Sequence, residues 1–198
     1  MYKLTHDWFA QALPVWEEKV IPNLPAKFSF LEIGSYEGRS AIWTVENMLA
    51  DGGGLTCIDF WEEPGEHVKS ESYFDHNVEV LKSKYPARFI NKIKATSYEG
   101  IAKLITEKRK FDFIYLDGNH IAKNVMTDAC MLWPLLREDG GIFVFDDYAW
   151  DDPAFPGLRP KVAVDMFYNL FGEEVNALHV GYQVIFRKTP FIQKRHVK

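Results

Sequence analysis

From residue 28 onward the chain alternates short apolar runs, rich in β-branched and aromatic residues, with longer stretches of helical period. Strands joined by helical crossovers pair in parallel, so the rhythm predicts an α/β chain with a parallel sheet and helices on both faces. The strand candidates are 28–33, 55–59, 88–94, 111–116 and 141–145, and the helix candidates are 38–49, 72–84, 98–107 and 122–136. Residues 5–20, within an N-terminal segment 1–25, read as a cap helix. After Pro160, residues 162–171 carry an apolar face, and the β-like runs 175–180 and 183–187 nearly touch around Gly181. So short a gap implies a hairpin, hence an antiparallel last strand. In such sheets ligands bind beyond the carboxyl ends of the strands, which makes the residues after each strand the ones to read for chemistry.

The first strand runs into Leu31-Glu32-Ile33-Gly34-Ser35-Tyr36-Glu37-Gly38-Arg39-Ser40, a glycine-containing turn that opens a helix. A dinucleotide fingerprint would need glycine at positions 32, 34 and 37, where Glu32 and Glu37 would repel a pyrophosphate. The loop suits a cofactor without phosphate. S-adenosylmethionine fits: Gly34 and Gly38 permit close backbone approach, and an acidic site complements its ammonium and sulfonium charges. A plain strand-to-helix turn is the alternative. Asp59 closes the second strand at the spacing of an acid that accepts from ribose hydroxyls, although such an Asp also serves turns and caps. Thr96 and Ser97, past the third strand, either meet the adenine edge or cap the next helix.

Strand four leads into Asp117-Gly118-Asn119-His120 and strand five into Asp146-Asp147, at the same sheet edge. Three carboxylates in one small site raise one another's pKa unless a cation neutralises them, and oxygen ligands point to Mg²⁺. The bland reading makes them cap and turn residues. His120, near the start of the following helix, is placed to take a proton from a hydroxyl held there. His6, His67, His76, His179 and His196 have no such company and receive no role.

Residues 28–150 resemble class I S-adenosylmethionine-dependent methyltransferases, through the loop from Glu32 to Ser40. More narrowly the chain is similar to the macrocin-type and related small O-methyltransferases. The stretches that narrow it are 111–120, the helix end Trp133-Pro134-Leu135-Leu136, and 140–148. The resemblance implies a Rossmann-like, three-layer α/β/α fold whose seven-stranded, mostly parallel sheet has an antiparallel last strand. With the loop and spacing readings above, the residues expected to bind S-adenosylmethionine are Glu32, Gly34, Ser35, Tyr36, Gly38, Ser40, Asp59, Thr96, Ser97 and Asp117. Asp117, Asp146 and Asp147 would hold Mg²⁺, and His120 would act as the base. Catechol-type relatives carry lysine at the position of His120 and asparagine at that of Asp147, so a catechol acceptor does not follow.

The length, 198 residues, suits one domain spanning 1–198 with a tail at 188–198, and no repeat or linker divides it. A net charge of −5 argues against a nucleic-acid partner, and the basic cluster Lys194, Arg195, His196 and Lys198 reads as a solvated tail. The two cysteines, Cys57 and Cys130, make neither a disulfide framework nor a zinc site and read as buried hydrophobes. With no signal peptide and no membrane span in the sequence, the expectation is a cytoplasmic enzyme acting on a small-molecule acceptor, with a homodimer compatible. Trp61, Tyr148 and Trp150 are candidate aromatic walls, and 61–73 and 150–160 candidate lids. Two rivals are a metal-independent methyltransferase and a non-catalytic S-adenosylmethionine-binding protein. Gly118-Asn119-His120 also occurs in binuclear metallophosphoesterases, but the Asp-x-His pair these need is missing from the sequence.

Overall fold

The computed structural model describes residues 1–62, 69–151, 153–154 and 159–190. Seven strands form one sheet: β1 (Ser29–Ile33), β2 (Gly54–Asp59), β3 (Phe89–Lys94), β4 (Phe113–Leu116), β5 (Ile142–Phe145), β6 (Val175–Val180) and β7 (Val184–Lys188). Their order across the sheet is β3-β2-β1-β4-β5-β7-β6. Neighbours from β3 to β5 pair in parallel, while β7 lies antiparallel between β5 and β6. The hairpin expected around Gly181 is therefore present, with a register shift between Ala177 and His179.

The helices are α1 (Leu13–Val15), α2 (Arg39–Asn47), α3 (Ser70–Lys84), α4 (Ser97–Thr106), α5 (Ala122–Leu132) and α6 (Pro160–Phe171). Alternation along the strands sorts side chains into two cores. Leu31, Ile114, Phe143 and Phe186 face α4, α5 and α6, while Phe30, Phe113, Val144 and Ile185 face α2, α3 and the N-terminal segment. The expected cap helix starts later than 5, because α1 is one turn within a run of 3-10 and π turns from Ala10 to Asn23. Pro14 and Pro22 have no amide hydrogen to donate, which keeps the turns irregular. The helix expected over 122–136 stops at Leu132 and continues as a 3-10 turn, Trp133–Leu135, around Pro134.

Cys57 is buried as expected, but Cys130 is exposed on the outer face of α5. Among the described residues no helix is long and apolar enough to cross a membrane. Parts of both candidate lids, His67 and the terminal basic cluster lie outside the described residues.

Candidate active site

Ile33, Ile58, Leu116 and Phe145 pair in one row across the sheet, so Gly34, Asp59, Asp117 and Asp146 all leave it at the same level. The strand order reverses between β1 and β4, and there the glycine turn meets Asp117. Gly34 has φ +85°, and a Cβ on it would lie 1.9 Å from the Asp117 carbonyl oxygen. The freedom expected to admit a cofactor is thus spent on the neighbouring strand end.

Glu32, expected to contact the cofactor, is fully buried on β1. Its carboxylate accepts from the hydroxyls of Ser35 (2.7 Å) and Ser40, so it braces the loop from beneath. Burial pushes the Glu32 carboxyl up, against the pull of those bonds. Asp59 Oδ2 accepts the backbone N–H groups of Ser35 (3.0 Å) and Tyr36 (2.8 Å), and Oδ1 accepts that of Trp61 (2.9 Å). The turn amides that would cradle a phosphate are therefore filled by the protein's own carboxylate. Three of about four acceptor positions on Asp59 are used, leaving room for one more donor. Thr96 caps α4 in a reciprocal box with Glu99, while the Ser97 hydroxyl donates to Asp128 on α5 at 3.0 Å. Both side chains are engaged in helix packing.

A pocket lies between this loop and the N-terminus, lined by His6, Trp8, Phe9, Ser35, Tyr36 and Asp117 among others. His6, given no role from sequence, stacks on Trp8 at 4.6 Å, and Trp8 packs on Tyr36 at 5.2 Å. Thr5 strapped to the loop explains the arrangement: its N–H and hydroxyl both donate to the buried Glu37 carboxylate at 2.6 Å. The Lys3 main chain is clamped in both directions by Asn77 of α3. Arg39 also lines the pocket, but its guanidinium donates to the His6 carbonyl and pairs with Asp7 at 3.3 Å. Trp61 is not a wall of open space: it is buried against Phe74, with its indole N–H donated to the Tyr36 carbonyl. The local sequence held no signal for the strap, since its partners are 32 to 74 positions away.

Beyond β4 and β5 the acidic residues split into two sets. One ligand atom from each of Asp117, His120 and Asp147 lies within 4.8 Å of the others. His120 Nε2 pairs with Asp147 Oδ2 at 2.8 Å, and the Tyr182 hydroxyl donates to Asp147 Oδ1 at 2.8 Å. Asp146, expected beside them, turns away: one oxygen accepts from the Tyr115 hydroxyl and the other from the Asp147 N–H (2.7 Å). Asp147 itself sits at φ +54°, which points its carboxylate back toward His120. Burial, reinforced by the charges of Asp146 and Asp147, holds the Asp117 carboxyl well above its ordinary value. Asp146 is raised to about 6 by burial and by the charge of Asp147. Trp150 stands beside His120 at 5.0 Å and remains a wall of the site, whereas the Tyr148 hydroxyl is committed to Asp165 on α6.

A family model described as a methyltransferase domain matches residues 31–148. Comparison with curated proteins gives no match. Among solved structures, the chain resembles MycE methyltransferase from the mycinamycin biosynthetic pathway, in complex with Mg and SAH, with a TM-score of 0.65 at 16% identity. That alignment covers 95% of this chain and 52% of MycE, so the chain spans about half the length of that relative. The O-methyltransferase from Bacillus cereus, in complex with SAH, gives a TM-score of 0.65 at 20% identity over 93% and 84% of the two chains. CalS11, a TDP-rhamnose 3'-O-methyltransferase of calicheamicin biosynthesis, gives 0.63 at 16% identity over 89% and 78%. At these identities the likeness is one of fold.

Proposed function

The chain belongs to the methyltransferase-domain family, and from that premise we propose that it moves the methyl group of S-adenosylmethionine to a hydroxyl of a small molecule, a sugar or a phenol. The observation that carries this reading is the gathering of Asp117, His120 and Asp147 at the switch point beside the glycine turn. The pocket fits a sulfonium nucleoside better than a nucleotide. Its turn amides are already satisfied by Asp59, Arg39 is ion-paired, and Asp117 presents an acid to a positive ligand. In this reading the last acceptor position on Asp59 takes a ribose hydroxyl, and the strap closes over the bound donor.

The Asp117–His120–Asp147 set also suits a divalent cation, with carboxylate oxygens as hard donors. Asp117 and Asp147, two of the three grouped residues, would hold it, while Asp146 lies next to them and accepts from the Tyr115 hydroxyl and the Asp147 N–H. When bound, S-adenosylmethionine supplies an electrophilic methyl and the cation supplies positive charge beside the acceptor hydroxyl. His120 would take the proton of the acceptor, and Asp147, paired with its Nε2, would stabilise the imidazolium that results. Trp150 packs beside the His120 ring on that side. The complexes of MycE with Mg and SAH and the sugar chemistry in the name of CalS11 support the metal and a sugar acceptor.

Calorimetry with S-adenosylhomocysteine, and methyl release to sugars and phenols with Mg²⁺ present or chelated, test the proposal. His120→Ala should lower turnover by about 10²–10⁴-fold and leave S-adenosylhomocysteine affinity within about twofold. Unchanged turnover would remove His120 as base. The 4.8 Å grouping favours a second reading, His120 as a metal ligand. Loss of Mn²⁺ binding in His120→Ala would establish it, and retained binding would exclude it.

A further inference from the structure

Three buried side chains from distant parts of the chain form a directional line of hydrogen bonds ending on the acidic cluster. The Trp16 indole Nε1 donates to Gln183 Oε1 at 2.8 Å, Gln183 Nε2 donates to the Tyr115 hydroxyl oxygen at 3.4 Å, and that hydroxyl donates to Asp146 and, at 3.0 Å, to Asp117. Trp16, Tyr115 and Gln183 are 0%, 1% and 5% exposed, so water does not compete with this line.

Its direction follows from chemistry alone. An indole N–H can only donate, so the carboxamide oxygen of Gln183 must face Trp16 and its NH₂ must face Tyr115. The Tyr115 oxygen accepts there, which leaves its single proton for the carboxylates. Asp146, pinned by that proton, uses its other oxygen to accept the Asp147 N–H, and so holds the turn in which Asp147 adopts φ +54°. His120 and the Tyr182 hydroxyl hold the Asp147 carboxylate itself, and the bond from Asp146 holds the backbone that presents it to them.

We propose that Tyr115 is a positioning residue: oriented by Gln183 and Trp16, it fixes Asp146 and thereby aims Asp147 into the cluster that faces the acceptor. This rests on the functional reading above for the identity of the site. Residues that orient the ligands of a metal typically contribute about 10–100-fold to its affinity.

The test uses the full chain with Tyr115→Phe, Gln183→Met and both together, read by Mn²⁺ binding, S-adenosylhomocysteine calorimetry, thermal melting and a crystal structure of Tyr115→Phe. Tyr115→Phe should melt as a folded protein, bind Mn²⁺ about tenfold more weakly, and hold S-adenosylhomocysteine within about threefold. Gln183→Met should reproduce that loss, because Gln183 orients Tyr115 and its amide also reaches Asp146, and the double variant should lose less than the sum of the two single losses. Unchanged Mn²⁺ affinity in Tyr115→Phe, or losses that add, would overturn the proposal. Should the wild-type chain bind neither probe, the functional reading fails and the crystal structure decides this inference by itself. A rotated Asp146 carboxylate and a relaxed Asp147 turn support it, and an unmoved pair refutes it.

Discussion

Asp128 offers a test in which the sign and the size both come from the structure. It lies on α5 at 3% exposure, with one oxygen accepting from Ser97 and the other without a partner among the described residues. Burial raises its carboxyl from 3.8 to about 6, only partly opposed by the Ser97 hydroxyl. A carboxyl raised in the folded state contributes its full stability below the unfolded value and loses it as pH climbs through the folded one. The loss therefore begins near pH 4 and is complete somewhat above pH 6. At about 1.36 kcal/mol per tenfold it amounts to roughly 3 kcal/mol at pH 7 and above. Asp128→Asn keeps an oxygen for Ser97 and removes the charge, while its NH₂ inherits the unpartnered place at a cost of about 1–2 kcal/mol. The variant should be about 1–2 kcal/mol more stable than the wild type at pH 8, and at pH 4.5, where about 1 kcal/mol of the loss has already occurred, equal to it or up to about 1 kcal/mol less stable. Urea unfolding of both proteins across this range measures the difference directly, and the other raised acids cancel because both chains carry them. A difference that stays constant from pH 4.5 to pH 8 would show that Asp128 does not carry a buried charge.

Gly34→Ala places a methyl 1.9 Å from the Asp117 carbonyl at a left-handed φ; it should cost several kcal/mol, on the order of 3 or more, and abolish S-adenosylhomocysteine heat. A soluble variant with wild-type binding would refute the close approach. Thr5→Ala strips one donor from the buried Glu37 carboxylate, so urea unfolding should register a loss of about 1–3 kcal/mol and S-adenosylhomocysteine should dissociate faster. An unchanged off-rate would mean that the strap does not cover the donor. Asp147→Asn keeps the size of a side chain that binds both His120 and Tyr182. It should weaken Mn²⁺ by at least about tenfold while Asp146→Asn, acting through the turn, weakens it less; the reverse order would exchange their roles.

The alternation of strand and helix patterns settled the layer order and the mostly parallel sheet, because period-2 and period-3.6 burial leave separate marks along the chain. The residues after β1, β2, β4 and β5 were legible for the same reason: a parallel sheet brings its strand ends to one edge whatever the side chains do. So Gly34, Asp59, Asp117, Asp146 and His120 could be placed near one another before any coordinates. Orientation could not be read in this way. Whether Glu32 faces a ligand or supports a loop, whether Asp146 or His120 joins Asp147, and whether Asp59 is already engaged all depend on a rotation about one or two bonds. Those rotations are set by partners far away in sequence, such as Gln183 for Tyr115 and Thr5 for Glu37. A sequence reports local periodicity, and the chain's own backbone enforces it. Hydrogen-bond partners 32 to 167 positions apart meet only once the tertiary fold has brought them together.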